Sequence, residues 1–210
     1  MEAVRESGKD FNILAISGSY RKGKTIDTLI DRAVEGAMAL NGSVKAEKVL
    51  LIEKKIEYCR NCNVCRNDDP CKSRARCAID DDMQELYPLI EKADAFIFGT
   101  PVNMASVTAV MKTFLERIVY IFAYPGEKPV KGCPAPRSTR KRNAIIIVSS
   151  GSVPPLLRMW CDQATPLIKD ILVGSLNARV MGTLYAGDVY KRGVVCYEKK
   201  ARRLGEWLVM

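Results

Sequence analysis

The 210-residue sequence contains no histidine and no apolar run long enough to span a membrane. The lack of histidine excludes His-ligated metal sites, histidine general bases and Ser/His/Asp triads. A membrane-spanning helix needs about 20 predominantly apolar residues, so no membrane association is expected. The first ten residues are charged and lack the apolar segment of a secretory signal peptide. A cytoplasmic protein is therefore expected.

Cysteine, by contrast, is concentrated in one short segment. Five of the eight cysteines lie within residues 59–77, and the first four have the spacing C-x2-C-x2-C-x5-C. Iron–sulfur clusters take four thiolates, often from runs of this kind, whereas zinc sites usually pair two C-x2-C knuckles across a longer gap. The spacing favours a compact iron–sulfur cluster, with zinc and free or redox thiols as alternatives. The candidate metal ligands are Cys59, Cys62, Cys65, Cys71 and Cys77.

Apolar runs and helical periodicity alternate along the chain, which predicts an α/β fold. Apolar strands of this kind indicate a parallel sheet covered on both faces. Five strands suggest a flavodoxin-like three-layer sandwich with strand order 2-1-3-4-5, in one domain over residues 1–210 with a Cys-rich loop insertion at residues 57–80. The predicted strands are residues 11–16, 44–51, 95–99, 144–148 and 178–185. The predicted helices are residues 25–41, 81–92 (opened by an Asp81/Gln84 capping box), 106–119, 156–172 and 194–209, with a long loop at residues 120–141.

The loop after the first strand predicts an anion site. Residues 18–25 match G-x-x-x-x-G-K-[ST] between a strand and a helix, and Arg21, Lys22 and Lys24 add positive charge. A P-loop NTPase also needs an acidic residue for magnesium, but residues 99–101 and 149–151, which end two later strands, include no Asp or Glu. Serines, threonine and backbone amides can instead hold a flavin phosphate without a metal. A P-loop nucleotide-binding protein is kept as an alternative.

The net charge of +9 is carried partly by two basic runs, residues 137–142 and 199–203. We interpret them as a solvated face and the polar side of a last helix, with docking of an acidic ferredoxin-type electron carrier as the alternative. No aromatic-interleaved basic motif or reader-helix signature is present, so no nucleic-acid partner is expected.

Several segments resemble one family. Residues 17–25 (SGSYRKGKT) resemble the S-G-S-x-R-x-G-x-T phosphate loop of NADPH-dependent FMN reductases. Residues 59–84 resemble the cluster loop and V-I-D-D-D-M helix start of iron–sulfur flavoproteins. Residues 99–117 are similar to their P-V-Y-x-G-S…K-x-x-x-D-R segment, and residues 187–189 are similar to the family's ending.

This resemblance implies a flavodoxin-like fold, FMN, a [4Fe–4S] cluster, and a homodimer or homotetramer. It implies that Ser17, Ser19, Arg21, Lys24 and Thr25 hold the FMN phosphate, that Pro101, Val102, Asn103 and Met104 line the flavin ring, and that Ser149, Ser150 and Gly151 form a third FMN loop. Asn103 replaces the usual Tyr of the family and Ala105 the usual Gly. Either Cys71 or Cys77 matches the fourth ligand, and Cys71 is preferred.

The resulting hypothesis is a flavin-dependent oxidoreductase that couples FMN to a [4Fe–4S] cluster for electron transfer, linked to NAD(P)H or a ferredoxin. The alternative within the family is an NAD(P)H-dependent FMN or quinone reductase with structural cysteines. Both cofactor sites are expected at the same edge of the sheet. The arginines of the Cys-rich loop are expected to offset the negative charge of the cluster: Arg60, Arg66, Arg74 and Arg76.

Overall fold

The computed structural model describes residues 10–210. The prediction that no signal peptide is present concerns the first ten residues, and residues 1–9 lie outside the described part. Within residues 10–210, no helix has both the length and the apolar character needed to cross a bilayer.

The described strands form one large parallel sheet and one small antiparallel hairpin. The strands are β1 (Phe11–Ser17), β2 (Val44–Leu50), β3 (Ala95–Pro101), β4 (Ala123–Pro125), β5 (Pro134–Pro136), β6 (Arg142–Ser149) and β7 (Ala178–Ala186). The large sheet has the order β2-β1-β3-β6-β7, with every neighbouring pair parallel. Since β6 and β7 are its fourth and fifth strands, the predicted order 2-1-3-4-5 is confirmed.

Helices cover both faces of this sheet. They are α1 (Thr25–Leu40), α2 (Met83–Lys92), α3 (Ala109–Phe122), α4 (Arg158–Cys161), α5 (Ala164–Gly174), α6 (Val189–Arg192) and α7 (Val195–Val209), with 3₁₀ turns at Leu51–Glu53 and Pro155–Leu157. Alternate residues of each central strand point to opposite faces. On β3, Phe96 and Phe98 pack with α2, α3 and α5, whereas Ala95 and Ile97 pack with α1 and α7. The predicted three-layer sandwich is confirmed.

The prediction of a long loop at residues 120–141 is partly wrong. α3 continues to Phe122, and the chain then forms the hairpin of β4 and β5, in which Tyr124 pairs with Ala135. Both strands are three residues long and rich in proline. Their pattern is therefore too short to give a strand periodicity in the sequence.

The predicted helix at residues 156–172 is broken in two. Asp162 accepts hydrogen bonds from both the backbone N–H (2.9 Å) and the Oγ1 (2.6 Å) of Thr165. Arg158 also donates to the Asp162 carboxylate at 2.8 Å. This carboxylate therefore ends α4 and starts α5, because a side-chain acceptor near a helix start replaces the missing backbone partners.

The predicted capping box of Asp81 and Gln84 is not formed. Gln84 Nε2 donates to the Ile79 carbonyl at 2.7 Å. The Asp81 carboxylate accepts from the backbone N–H groups of Met83 (3.1 Å) and Glu57 (2.8 Å), and it also pairs with Arg117. Asp81 thus ties the Cys-rich loop to α2 and α3.

Candidate functional site

The loop at residues 17–25, called the phosphate loop here, follows β1, and hydrogen bonds to the carboxylate of Asp27 hold it in place. Ser17 Oγ donates to Asp27 Oδ1 at 2.6 Å, and the Gly23 N–H donates to Asp27 Oδ2 at 2.7 Å. Asp27 is buried, and both its oxygens accept hydrogen bonds from the loop. The exposed cations Arg21 and Lys24, together with the start of α1, therefore remain available for an anion.

A second contact fixes the phosphate loop against α3. Thr108 Oγ1 donates to the Gly18 carbonyl at 2.7 Å. A Cβ atom on Gly18 would lie 2.8 Å from Met111 Cβ. Glycine is therefore required at position 18 for this close approach, and the start of α3 is fixed beside the start of α1.

Adjoining cavities of about 430 and 260 Å³ open where β1, β3 and β6 end. Together they form what we call the strand-end cavity. Ten of the twelve predicted FMN-binding residues line it. These are Ser19, Arg21, Lys24, Thr25, Pro101, Val102, Asn103, Ser149, Ser150 and Gly151.

Two predicted FMN-binding residues lie outside this lining. Ser17 is fully buried and directed at Asp27. Met104 is 99% exposed at the tip of a tight turn in which the backbones of Asn103 and Ser106 exchange hydrogen bonds. Met104 and Ala105 have φ values of 47° and 63°, a region that glycine adopts without strain. This geometry explains why the related segment carries glycine where this chain has Ala105.

The strand-end cavity also contains an aromatic residue that was not predicted. Tyr190, on α6, lines both parts of the cavity although its side chain is largely exposed. A Cβ atom on Gly151 would lie 2.4 Å from Tyr190 Cε2, so the ring lies directly against the glycine backbone. The neighbouring residues 187–189 gave a sequence signal, but only the tertiary structure brings α6 to the cavity.

The cysteines gather around a second cavity of about 340 Å³, called the thiol cavity here. Cys59, Cys62, Cys65 and Cys77 line it, together with residues 116, 117 and 119–121 of α3. Cys71 is exposed and is not among the lining residues, because a turn places its N–H against Asp69 Oδ1. The placement therefore groups Cys77, and not the preferred Cys71, with the other three.

The backbone of the Cys-rich loop is shaped to bring these thiols together. Asn61 and Asn63, within the two C-x2-C steps, have φ values of 49° and 60°, which asparagine tolerates better than most residues. Arg137 is buried and donates to the carbonyls of Cys65 (3.1 Å) and Asp69 (2.5 Å). Part of the basic run at residues 137–142 is therefore structural, which corrects its interpretation as a solvated face.

Arg117 is a charged residue of the thiol cavity that was matched to the family segment but given no role. Its side chain is only 1% exposed. Nη1 donates to Asp81 Oδ2 at 2.5 Å and to the Glu57 carbonyl at 2.8 Å, while Nη2 donates to Asp81 Oδ1 at 3.0 Å. Nη2 also lies 3.5 Å from Cys77 Sγ. A buried cation is therefore in direct contact with one of the four thiols.

The electrostatics of the cavity agree with this grouping. Burial, followed by the neighbouring Cys77, Cys59 and Cys62, raises the pKa of Cys65. Burial alone would also raise the pKa of Asp81, but the hydrogen bonds from Arg117 lower it, so the carboxylate stays ionised. The charge on Asp81 in turn raises the pKa of Arg117 against the effect of burial. The thiols thus interact with one another beside a permanent ion pair.

Only two of the four arginines expected to offset the cluster charge line the thiol cavity. Arg66 stacks on Tyr120 at 4.2 Å from the ring centroid, and Arg60 pairs with Glu57. Arg74 pairs with Glu91 at 3.6 Å, outside the cavity lining. Arg76 also lies outside that lining.

The two cavities share no lining residue. α3 runs from beside the phosphate loop, where the Ala109 N–H donates to the Tyr20 hydroxyl, to the thiol cavity. The helix starts beside the phosphate loop, and its cavity-lining residues begin at Glu116. At 1.5 Å per residue the thiol cavity therefore begins about 10 Å along the helix. The expectation that both sites lie at one edge of the sheet is wrong for the thiols, because the Cys-rich loop runs down the side of α3: the Ala75 N–H donates to the Ile121 carbonyl.

The thiol cavity has a donor set suited to a metal cluster rather than to a single metal ion. Among residues 10–210, no three His, Cys, Asp or Glu side chains are grouped as around a single metal ion. Four thiols nevertheless surround one cavity of about 340 Å³, and thiolates are the ligands that iron–sulfur clusters take. The buried guanidinium of Arg117, which is paired with Asp81, also presents Nη2 to the sulfur of Cys77. The donor set and the space therefore fit a cluster of several atoms.

The sheet order and the cavity at the strand ends define a flavodoxin-like α/β protein. The family model described as NADPH-dependent FMN reductase matches residues 11–166. This chain belongs to that family. The prediction of a flavin-dependent oxidoreductase is thus confirmed at the level of the family, which favours a flavin over the P-loop nucleotide alternative.

Individual relatives agree with this assignment. The chain is 38% identical over 106 residues to an iron–sulfur flavoprotein of Archaeoglobus fulgidus, covering 50% of this chain and 44% of that protein. It is 33% identical over 109 residues to an iron–sulfur flavoprotein of Methanosarcina thermophila, covering 52% and 53%. The aligned region thus spans about half the length of the curated relatives.

A solved structure of an NAD(P)H:quinone oxidoreductase from Methanothermobacter marburgensis has a similar fold. The TM-score is 0.65 at 16% identity, covering 94% of this chain and 98% of that one. At this identity the likeness concerns the fold alone.

Proposed function

We propose that this protein is an FMN-dependent oxidoreductase that couples a flavin to a [4Fe–4S] cluster for electron transfer. The observation that carries the proposal is the pair of separate cavities, one beside the phosphate loop and one lined by four thiols and by α3. In this proposal the chain forms a single FMN-binding domain, and residues 57–80 are the loop that carries the cluster. The names of the two curated relatives support this combination.

In this proposal the strand-end cavity holds FMN. Arg21, Lys24 and the backbone of the phosphate loop would hold the phosphate, since cations and a helix N-terminus together favour an anion. Residues 101–103 and 149–151 would contact the ring system. Asp27 holds the loop in shape from behind, where it contacts Ser17 and Gly23.

The thiol cavity would hold the cluster through Cys59, Cys62, Cys65 and Cys77. FMN exchanges electrons in pairs or singly and a [4Fe–4S] cluster singly, so the two groups together convert between two-electron and one-electron chemistry. Arg117 and Asp81 hold the loop that carries the thiols, and Arg137 fixes its backbone. Since Cys59 and Cys62 are exposed, an electron carrier can approach the cavity from solvent.

The visible spectrum and metal content of protein purified without air test the proposal. We expect flavin bands, broad cluster absorbance, and about four irons and four sulfides per chain. A colourless protein that does not take up FMN would contradict the flavin site. Yellow protein with zinc, or with no metal, would contradict the cluster alone.

The second candidate function is that of an NAD(P)H-dependent FMN or quinone reductase, in which NAD(P)H alone reduces the flavin and the cysteines have a structural role. The description of the family favours it. Anaerobic stopped-flow mixing with NADPH separates the two candidates. Rapid loss of flavin absorbance supports direct NADPH oxidation, whereas slow bleaching that a reduced ferredoxin accelerates supports the electron-transfer role.

An acidic electron carrier and further copies of this chain are the partners that we propose. An acidic carrier would meet the exposed basic residues of α7, which are Lys199, Lys200, Arg202 and Arg203. A homodimer or homotetramer would bury the exposed apolar side chains of Leu156, Met159 and Trp160. Sedimentation velocity measures the assembly, and a monomer at micromolar concentration would contradict it.

Leucine in place of Tyr190 is expected to weaken FMN binding and to raise the fluorescence of bound FMN. The aromatic ring lines the strand-end cavity, where position 103 carries asparagine in place of the usual tyrosine. Aromatic stacking contributes about 0.5–1.5 kcal/mol beyond area burial, which is roughly a two- to tenfold change in Kd. Fluorescence titration with FMN measures both effects.

The matched control is Tyr58→Leu, because Tyr58 is as exposed as Tyr190 (77% against 76%) and lines neither cavity. Tyr190→Phe should retain both affinity and quenching. If Tyr190→Leu and Tyr58→Leu behave alike, Tyr190 does not contact the flavin.

A further inference from the structure

Arg117 is a buried arginine that forms an ion pair with Asp81 inside the protein. It lies in the middle of α3 with its side chain 1% exposed, and both terminal nitrogens donate to Asp81. The Tyr87 hydroxyl donates to the Arg117 carbonyl at 3.3 Å. Burying such a pair is costly, and replacing it with apolar residues often leaves stability unchanged or higher. Stability alone therefore does not explain the charge.

Two atoms of the guanidinium group indicate what the charge is for. Nη2 lies 3.5 Å from Cys77 Sγ. Nε is buried and has no acceptor among residues 10–210. A buried donor without an acceptor costs about 1–3 kcal/mol, which disfavours arginine in a purely structural role. Thiolate sulfur accepts hydrogen bonds from cations, and the Nη2 contact places the Cys77 sulfur of the thiol cavity within reach of this one.

We propose that Arg117 is the positioning residue of the cluster site: it selects Cys77 over Cys71 as the fourth thiolate and, by donating to that sulfur, raises the cluster's reduction potential. The inference rests on the proposed function, because it assumes that a cluster binds. It adds the identity of the fourth ligand and the residue that tunes it.

The physical basis is the hydrogen bond from Arg117 to the ligand sulfur, since Asp81 already balances the net charge of the guanidinium. Each electron added to the cluster makes it more negative, and a hydrogen bond from a cation to a ligand sulfur stabilises the more negative state. The effect is strong at Arg117 because solvent does not screen a side chain that is 1% exposed. Cys71 has no such partner in the described structure, where its backbone N–H donates to Asp69 and its side chain is exposed.

The first experiment compares Cys71→Ser with Cys77→Ser, using anaerobic iron and sulfide analysis. Cys71→Ser is expected to keep the full cluster, and Cys77→Ser to lose it or to retain an incomplete one. Loss of the cluster in Cys71→Ser, with retention in Cys77→Ser, would overturn the assignment. FMN content provides a folding control in both variants, since neither cysteine lines the strand-end cavity.

The second experiment measures the cluster's potential by redox titration followed by electron paramagnetic resonance. Arg117→Gln is expected to shift the reduction equilibrium at least tenfold towards the oxidised cluster, which is about 59 mV for one electron. Arg117→Lys keeps the charge but loses the forked donor, so an intermediate value is expected. Arg66→Gln is the matched control, because Arg66 lines the same cavity but donates to the Tyr120 hydroxyl. An equal shift in Arg66→Gln and Arg117→Gln would overturn the role of the hydrogen bond.

Arg117→Gln leaves Asp81 buried without its partner, which can prevent folding. The double variant Arg117→Gln, Asp81→Asn removes both charges and keeps hydrogen-bonding groups, so the potential can be measured in it. Absence of a cluster from the unaltered protein would contradict the proposed function. An intact cluster whose potential is the same in every Arg117 variant would contradict only this inference.

Discussion

Serine in place of Cys62 is expected to remove the iron and sulfide while FMN remains bound at its original stoichiometry. Cys62 is shared by both C-x2-C steps and lines the thiol cavity. A hydroxyl is a much poorer iron ligand than a thiolate, so the effect should be nearly complete: about four irons per chain should fall below one. The two cavities share no residue, so the flavin absorbance should remain.

Iron analysis and the visible spectrum of the same anaerobic sample measure both parts of this prediction. The control is Cys133→Ser, because Cys133 is half-buried yet lies outside the thiol cavity. It should retain both groups. Full iron content in Cys62→Ser would remove this residue from the ligand set, and joint loss of iron and FMN would mean that the cavities are not independent.

The sheet could be predicted from the sequence because its central strands are buried on both faces. Runs such as residues 144–148 are apolar throughout, which is typical of a parallel strand between two helical layers. The strand-end cavity followed from the same reasoning, since the residues after such strands meet at one edge. Ser17 and Met104 lie outside the cavity lining because their orientation depends on Asp27 and on the turn at residues 103–106.

The thiol site could be predicted only in part. Its first three cysteines have a recognisable spacing, but the sequence left both Cys71 and Cys77 as candidates for the fourth ligand and favoured Cys71. The difference arises from tertiary contacts: the loop folds along α3, and Arg117 meets Cys77. Charged residues are rarely buried, so a sequence reading assigns arginines to the surface. Arg117 and Arg137 are buried here because carbonyl and carboxylate oxygens from distant segments surround them.

Alanine in place of Gly205 is expected to destabilise the protein strongly, although alanine is the better helix former. On intrinsic propensity the change should add about 1 kcal/mol of stability in a helix interior. In this structure, however, a Cβ atom on Gly205 of α7 would lie 1.7 Å from the carbonyl oxygen of Ala33 in α1. Gly36 meets the Arg202 carbonyl in the same way, at 2.0 Å. The two helix backbones are therefore in direct contact, and backbone atoms cannot move aside as a flexible side chain can.

Relief of that overlap requires α1 and α7 to move apart by more than an ångström, which opens the core between them. Overpacking typically costs 1–3 kcal/mol, and an overlap of backbone atoms falls at the upper end of that range, so after the gain in helix propensity we expect a net loss of about 2 kcal/mol. For a chain of this length this corresponds to a decrease in Tm of roughly 4–8 °C. Gly174→Ala is the matched control, because Gly174 is also helical but its added Cβ would meet nothing closer than 3.7 Å. Thermal unfolding of both variants without FMN decides the question. An unchanged Tm in Gly205→Ala would mean that the two helices are not packed backbone to backbone.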